Sequence, residues 1–230
     1  MSINFYLVGG AVRDRLLGLE PKDLDYAVEA PSFSAMIREI ENRGGKIFLE
    51  SPEYGTVRAK LPELGTADYV LCRKDGYYSD GRRPDSVAPG TLMDDLKRRD
   101  FTINAMALDE NGSLVDYFNG KNDLLYNKVI RCVGDAKDRF KEDSLRMLRA
   151  LRFSIVKELR LYGDIDDIFY DHSFINLLDN VSKERIREEL HKCFKFDTKT
   201  TIERLYEYPL LFDKIFNNKQ LWLKPTFESK

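Results

Sequence analysis

The sequence lacks the features that would place a protein in a membrane or in an oxidising compartment. No apolar run approaches the roughly 20 residues that a membrane-spanning helix needs, so we expect no membrane span. The first residues lack the basic region of a signal peptide, and Gly9-Gly10 interrupts the apolar stretch that follows. Three cysteines, Cys72, Cys132 and Cys193, lie far apart without metal-site spacing. These absences predict a cytoplasmic protein with reduced thiols.

The chain also has little excess of either charge. Its 37 Lys and Arg residues and 39 Asp and Glu residues give a net charge of −2, which argues against a uniformly basic surface for nucleic acid. Residues 128–160 nevertheless contain ten basic and five acidic side chains, whereas residues 161–180 contain five Asp and no Lys or Arg. A local phosphate-binding face and an ordinary solvated helix both fit this pattern. With 43% hydrophobic residues, the 230-residue chain can bury a core in one or two domains.

The first 28 residues combine an apolar strand, a Gly9-Gly10 turn, a short helix and a second strand that carries two aspartates. Asp23 and Asp25 are two residues apart, so a strand would point both carboxylates the same way. Adjacent carboxylates repel each other unless a cation lies between them, and Mg²⁺ is usually held by one or two carboxylates plus phosphate. The open N–H groups of the glycine turn, beside a helix N-terminus, favour an anion. Together these features predict a nucleoside triphosphate held over a metal ion.

The pattern of apolar residues and breakers predicts a mixed first part and a helical second part. After about residue 125 the character changes to helix, which places the boundary within 120–135. Residues 73–90 are polar and rich in Gly and Pro, which indicates a long surface loop, and Asn111-Gly112 marks a hairpin. The predicted strands are 3–8, 24–29, 46–49, 56–61 and 68–72. The predicted helices are 11–17, 32–43, 92–99, 136–156, 183–194 and 200–208, with Ser182 as an N-cap.

Two further residues near the N-terminal motif are candidates for the same chemistry. Asp68 is predicted to open a strand and could supply the third carboxylate of a two-metal site, although a capping or edge-strand role also fits. Arg13 follows Gly10 by three residues and could grip a triphosphate bidentately. A surface salt bridge of Arg13 with Asp14 or with the nearby Glu20 is the alternative.

Two arginine-rich runs complete the set of motifs. In the first, Arg98-Arg99-Asp100 ends a helix before an apolar segment that contains Asn104, and the arginines could simply cap carbonyl groups. In the second, acidic and basic side chains recur every three residues on a predicted helix and would form a polar ladder, or an ordinary solvated face. The members of this ladder are Asp143, Arg146, Arg149 and Arg152.

These motifs closely resemble the class II tRNA CCA-adding enzymes and the bacterial poly(A) polymerases, a family of tRNA nucleotidyltransferases. The matching runs are the N-terminal 28 residues, residues 94–107 and residues 142–153, and the likeness extends over about 3–215. It implies a polymerase-β-like α/β head over 1–125, with a mixed sheet and helices on one side, followed by an all-α neck over 126–230. Family members usually continue into body and tail domains. Since these are not expected here, tRNA recognition would depend on the head and neck.

The resemblance implies template-independent addition of CTP and ATP to the 3′ end of tRNA, with Mg²⁺ as cofactor and tRNA, CTP and ATP as partners. Asp143 and Arg146 would hydrogen-bond the edge of the incoming base and so act as a protein template, and Asp100 and Asn104 would fix the local backbone. The implied metal ligands are Asp23 and Asp25. The implied catalytic residues are Asp23, Asp25 and Asp68. The implied nucleotide-binding residues are Gly10, Arg13, Arg99, Asp143, Arg146, Arg149 and Arg152.

Several functional alternatives stay open at this stage. Poly(A) addition, or addition of C or A alone, would use the same site, although Asp75, Asp80 and Arg82-Arg83 in the long loop favour full CCA addition because loops at this place in the family take part in switching from C to A. A nucleotide- or RNA-binding subunit that relies on a partner, and a small-molecule nucleotidyltransferase, are the other candidates. The oligomeric state is open, and a homo-oligomer is compatible with the sequence.

Overall fold

The computed structural model describes residues 3–76 and 86–218, and these residues form two compact units. The first unit contains 3–76 and 86–127, and the second contains 128–218. Asp80, Arg82 and Arg83, which the sequence singled out in the long loop, lie outside the described residues.

A mixed seven-stranded sheet organises the first unit. Its strands run in the order β3-β4-β5-β2-β1-β8-β9, and β2–β5 is its parallel pair while the other neighbours are antiparallel. The strands of this unit are β1 (Asn4–Val8), β2 (Asp25–Glu29), β3 (Lys46–Ser51), β4 (Thr56–Leu61), β5 (Gly65–Leu71), β6 (Arg73–Asp75), β7 (Val87–Pro89), β8 (Ala107–Leu108) and β9 (Leu114–Val115). The mixed sheet that was predicted for the head is therefore confirmed.

Helices pack against this sheet and complete the apolar core. Ser32 accepts a hydrogen bond from the N–H of Ala35 at the start of α2, and Thr91 and Asp94 form a capping box at the start of α3. Contacts join α1 to β1, α2 to β3 and β4, and α3 to β2. Phe5 meets Tyr69 edge-on in the core, and Tyr69 stacks on Tyr26. The helices of this unit are α1 (Gly10–Leu16), α2 (Phe33–Asn42), α3 (Leu92–Lys97) and α4 (Gly120–Asn122).

Two predictions for this unit need correction. β5 begins at Gly65, so Asp68 lies inside a strand and does not open one. Within the predicted loop 73–90, the described residues include two short strands, β6 and β7, which pair antiparallel. Each strand has only three residues, which is too short for alternation to reveal it in the sequence.

The second unit is helical. A two-residue parallel ladder between β10 (Val129–Ile130) and β11 (Arg160–Leu161) is added to the predicted helices. The predicted Ser182 cap is confirmed, because its Oγ accepts a hydrogen bond from the N–H of Arg185. The helices are α5 (Ala136–Glu142), α6 (Leu145–Val156), α7 (Gly163–Ile168), α8 (His172–Asn176), α9 (Lys183–Phe196), α10 (Thr198–Glu207) and α11 (Pro209–Phe212). None of the helices within the described ranges is long and apolar enough to cross a membrane.

The helix predicted over 136–156 is two helices, because the chain breaks at Asp143-Ser144. Asp143 has an extended backbone, with φ of −151° and ψ of 102°, and its Oδ1 accepts the N–H of Leu145 at 3.1 Å. The Ser144 hydroxyl donates to the carbonyl of Leu177 at 2.9 Å. Short polar side chains that bond nearby backbone groups compete with the helix. The apolar stripe Leu145, Leu148, Leu151 and Ile155 is buried as predicted.

Candidate functional site

Three charged side chains lie in one row across neighbouring strands of the first unit. Asp25 on β2 is the register partner of Asp68 on β5, and Asp68 is the register partner of Arg58 on β4. Register partners point to the same face of a sheet, so the two carboxylates and the guanidinium form a continuous polar row. Nη1 of Arg58 lies 3.0 Å from both carboxylate oxygens of Asp68.

Asp25 shows the electrostatic effect of this crowding. Loss of surrounding solvent raises the pKa of Asp25 above its ordinary value, and the nearby carboxylates of Asp68 and Asp23 raise it further, against the opposing charges of Arg99 and Arg58. A bound cation would relieve this repulsion. The carboxylates therefore suit an electropositive ligand.

Asp23 does not occupy the position that strand alternation predicted. β2 begins at Asp25, and Asp23 lies in the bend that precedes it, so alternation along a strand does not pair the two side chains. Asp23 instead lines a cavity of about 340 Å³ at this end of the strand. The charged residues around this cavity are Arg15, Glu20, Lys22, Asp23, Arg58 and Asp68.

The carboxylates of Asp25 and Asp68 fit a hard divalent cation that takes its remaining ligands from substrate and water. Within 3–76 and 86–218, no three His, Cys, Asp or Glu side chains gather closely enough to hold a metal on their own. Mg²⁺ commonly takes one or two carboxylates and completes its octahedron with water and phosphate oxygens. Asp25 and Asp68, side by side, supply that number of carboxylates.

A glycine turn and an arginine meet next to this row. Gly9 has a φ of +68°, a conformation that L side chains rarely adopt, so the backbone requires glycine here. A Cβ at Gly9 would also lie 2.7 Å from Nη1 of Arg99, so that side chain lies directly against the turn. Nη2 of Arg99 donates to Oδ2 of Asp95 at 3.0 Å, and Arg98 donates to Oδ1 of the same carboxylate. Asp95 is only 1% exposed. Although burial raises its pKa, the charges of Arg99 and Arg98 outweigh this and hold it below the ordinary value.

Arg13 is occupied by protein contacts. It is buried, its Nη1 donates to Oδ1 of Asn104 at 2.6 Å, and its Nε donates to Asp14 at 3.0 Å. Asn104 in turn donates to Oδ1 of Asp100, which also accepts the N–H of Phe101. This chain of hydrogen bonds fixes the backbone behind the glycine turn, as expected for Asp100 and Asn104. The alternative salt bridge of Arg13 with Asp14 is present.

In the second unit, the two predicted base-reading residues have separate partners. Oδ2 of Asp143 accepts Nη2 of Arg185 at 3.1 Å. Nη1 of Arg146 donates to Glu142 at 2.8 Å and to the carbonyl of Arg139 at 3.2 Å. Since Asp143 lies outside α6, the predicted helical ladder does not include it, and only the three arginines follow the helix at steps of three residues.

Arg149 and Arg152 both lie near the ring of Phe153, with guanidinium carbons 5.5 Å and 4.1 Å from its centroid. Nε of Arg152 also donates to Oε2 of Glu189 at 2.5 Å, and Glu189 is buried. Burial raises the pKa of Glu189, but Arg152 and the hydrogen bond from Lys192 hold it below its ordinary value. Arg152 therefore links α6 to α9.

Sequence reasoning missed the residues that hold the predicted ones in place. Asp95 precedes Arg98 and Arg99 by three and four residues on a helix, and this spacing could have identified it. Arg58 and Arg185 gave no local signal, because their partners Asp68 and Asp143 are reached only through folding.

Known proteins match this chain over most of its length. The poly(A) polymerase head domain family matches residues 5–131, which is more than half of the chain. Among curated proteins, the CCA-adding enzyme of Lactobacillus johnsonii is 41% identical over 188 residues, which cover 81% of this chain and 45% of that enzyme. The CCA-adding enzyme of Ligilactobacillus salivarius is 39% identical over 225 residues, 94% of this chain and 53% of that enzyme.

Solved structures show the same likeness. The Bacillus stearothermophilus CCA-adding enzyme in complex with CTP matches with a TM-score of 0.76 and 32% identity, over 91% of this chain and 49% of that one. A tRNA nucleotidyltransferase complexed with a primer tRNA and an incoming ATP analogue matches with a TM-score of 0.73 and 33% identity, over 94% and 60%.

The chain thus spans about half the length of the curated relatives it matches. Nucleotidyltransferases of this kind generally use a divalent metal ion. Because one family matches most of the first unit and similar proteins extend the match into the second, the chain belongs to the family of class II CCA-adding enzymes and poly(A) polymerases.

Proposed function

We propose that the chain is a template-independent nucleotidyltransferase that adds CTP and ATP to the 3′ end of tRNA. The observation that carries this proposal is the pairing of Asp25 with Asp68 beside the Gly9–Arg99 contact, in a chain of this family. Relatives whose structures contain CTP, or a primer tRNA with an ATP analogue, support the choice of substrates. The division of the described residues between 127 and 128 supports a head at 1–125 and a neck at 126–230.

Asp25 and Asp68 would hold the metal ion, with Asp23 contributing from the adjacent bend. Mg²⁺ is the proposed ion, since it prefers carboxylate and phosphate oxygens over nitrogen or sulfur. When bound, it would polarise the α-phosphate and stabilise the attacking and leaving oxygens of an in-line displacement. The pairing of β2 with β5 sets Asp25 and Asp68 side by side, where both would hold the ion.

The triphosphate would lie at the glycine turn. Gly10 begins α1, whose first N–H groups have no partner within the helix, whereas the Gly9 N–H donates to the carbonyl of Met106 at 3.4 Å. Arg99 is held against the turn by Asp95. Asp95 thereby holds the Arg99 guanidinium at the place where the negatively charged triphosphate would bind. Arg13 donates a hydrogen bond to Asn104 and so helps to fix the turn. We propose that Arg13 contributes to nucleotide binding indirectly, through this contact.

The second unit would choose the base. The Asp143 carboxylate has about four acceptor positions, so its contacts with Leu145 and Arg185 leave room for an exocyclic amino group. Beside its contacts with Glu142 and the carbonyl of Arg139, the Arg146 guanidinium would donate an N–H to a ring acceptor of the base, and Arg149 and Arg152 extend the same basic side of α6. A pair of one acceptor and one donor group can select a base edge without a nucleic-acid template.

The test uses tRNA that lacks its terminal CCA, Mg²⁺, and each labelled NTP alone or in pairs, with products resolved to single nucleotides. The expected result is two additions from CTP, one further addition from ATP, and then a stop. Asp25→Asn serves as the inactive control. Absence of any incorporation by the folded wild-type chain would contradict the proposal and favour a binding subunit that needs a partner.

Poly(A) addition is the second candidate, because the family that matches residues 5–131 is described by its poly(A) polymerase head. The same assay separates the two activities. A long ladder from ATP alone indicates poly(A) addition, whereas addition of C only or A only appears as truncated products. The cytoplasmic location stays a prediction, and the oligomeric state stays open.

A further inference from the structure

The Asp68 carboxylate, next to Asp25, already has a positively charged partner within the protein, the guanidinium of Arg58. Nη1 of Arg58 lies 3.0 Å from both Oδ1 and Oδ2 of Asp68, so it bridges the two oxygens. The pair is open to solvent, with Arg58 half exposed and Asp68 about one-third exposed. An ion pair this exposed is weakly held and can exchange its partner.

The sheet places this guanidinium in direct competition with a metal ion. Arg58, Asp68 and Asp25 are successive register partners on β4, β5 and β2, so the Arg58 side chain shares a face with both carboxylates. A divalent cation at Asp68 would lie close to this guanidinium, and the two positive charges would repel each other. Binding of either cation at Asp68 therefore weakens binding of the other.

We propose that Arg58 is a competing counter-ion for Asp68 that weakens the binding of a divalent cation there. Arg58 then sets the concentration of metal at which the site fills, and it keeps the carboxylate row partly neutralised while no metal is bound. This inference rests on the proposed metal site at Asp25 and Asp68, and it adds a specific role for a residue that the site itself does not require.

The test measures binding of Mn²⁺ to the full chain without nucleotide, from the loss of the free Mn²⁺ electron paramagnetic resonance signal. Arg58→Ala is expected to bind Mn²⁺ about two- to five-fold more tightly than wild type, the range that an exposed ion pair supports. Arg58→Gln, which removes the charge and keeps a polar side chain, is expected to behave in the same way. Far-UV circular dichroism checks that each variant is folded.

Lys60→Ala is the matched control. Lys60 lies two residues further along β4, so it is exposed on the same face and has the same charge, but its register partner is Thr66. If Arg58→Ala and Lys60→Ala change the Mn²⁺ affinity equally, the effect is general electrostatics and the inference is overturned. Weaker binding by Arg58→Ala would overturn it as well.

Two further variants separate this inference from the proposed function. Asp25→Asn and Asp68→Asn should both weaken Mn²⁺ binding by about tenfold or more if these residues ligate the metal. If neither does, the proposed metal site and the role of Arg58 fail together. If both do while Arg58→Ala matches Lys60→Ala, only the role of Arg58 fails.

Discussion

Asp25 lies beside the carboxylate of Asp68 on the neighbouring strand, and this neighbour changes the pKa of Asp25. The folded pKa of Asp25 is raised, first by lost solvent and then by Asp68. The folded state therefore binds the proton of Asp25 more tightly than the unfolded state does. This proton-linked stabilisation of the folded protein is complete below the unfolded pKa of about 4 and is lost as the pH rises through the folded pKa.

Asp25→Asn should consequently raise the melting temperature at pH 7, where the wild-type carboxylate is charged and repelled. The difference should shrink as the pH falls towards 4, and thermal unfolding followed by circular dichroism across this range measures it. The same variant should lose nucleotide incorporation by at least about 10³-fold, because a charge-stabilising group of the transition state is gone. Unchanged activity would contradict the assignment of Asp25.

The pKa of Asp95 is changed in the opposite direction from that of Asp25. Its pKa is lowered because two guanidiniums outweigh its burial. Its contribution to stability is therefore present above the unfolded pKa of about 4 and is lost as the pH falls through the lower, folded value. A buried carboxylate that holds two arginines is also the reason that Arg99 stays against Gly9.

Asp95→Asn should lower the free energy of unfolding at pH 7 by about 2–3 kcal/mol, since it removes a charged acceptor from buried hydrogen bonds. It should also raise the KM for nucleotide, because Arg99 loses its anchor. Asp94→Asn is the control: it alters the capping box with Thr91 and should cost no more than about 1 kcal/mol. Equal losses in the two variants would argue against a special role for Asp95.

At the scale of elements, the break between α5 and α6 decides how the predicted base-reading pair is presented. A continuous helix would have placed Asp143 and Arg146 one above the other. Instead, Asp143 lies in extended backbone and is held by Arg185 of α9, while Arg146 is held by Glu142 of α5. Each side chain is therefore positioned from a different helix.

Arg146→Ala should flatten the preference for CTP and ATP over UTP and GTP by about 10- to 100-fold, because directional contacts to a base edge are worth roughly 1–3 kcal/mol. Arg185→Ala should reduce the same preference less, since Asp143 remains but is no longer held. Relative kcat/KM for the four nucleotides measures both effects. Arg187→Ala, an exposed change on the same helix α9, should leave the preference unaltered. Unchanged selectivity in Arg146→Ala would contradict the template role.

At the scale of the molecule, the metal is proposed to serve chemistry and not folding. The core of the first unit is apolar, with Phe5, Tyr69 and Phe101 almost fully buried, and the sheet ladder is complete among the described strands. A structure held in this way needs no ion for its cohesion. This differs from small domains that unfold without their metal.

Removal of divalent ions with EDTA should therefore abolish nucleotide incorporation while the far-UV circular dichroism spectrum stays the same. Added Mg²⁺ should restore the activity, and added Mg²⁺ with ATP should raise the melting temperature, because a ligand that binds the folded state stabilises it. A loss of the spectrum on addition of EDTA would mean that the metal is structural.

Local sequence was sufficient for much of the fold. Strand alternation predicted β4 at its observed bounds, the Asn-Gly turn predicted the β8–β9 hairpin, and Ser182 predicted the start of α9. These features depend on backbone and side-chain preferences within a few residues. The pattern of apolar residues predicted a mixed first part and a helical second part, and the family motifs added the mixed sheet; the structure shows both.

The sequence by itself determined most of the chemical groups of the site, since the aspartates, the glycine turn and the arginines near residues 99 and 146 are visible as motifs. Only the tertiary structure decided which of them meet. Asp25 pairs with Asp68 rather than following Asp23 along a strand, Arg58 covers Asp68, and Arg185 reaches Asp143. The physical reason is that strand register and helix packing depend on partners tens of residues away, whose positions follow from how the whole core packs.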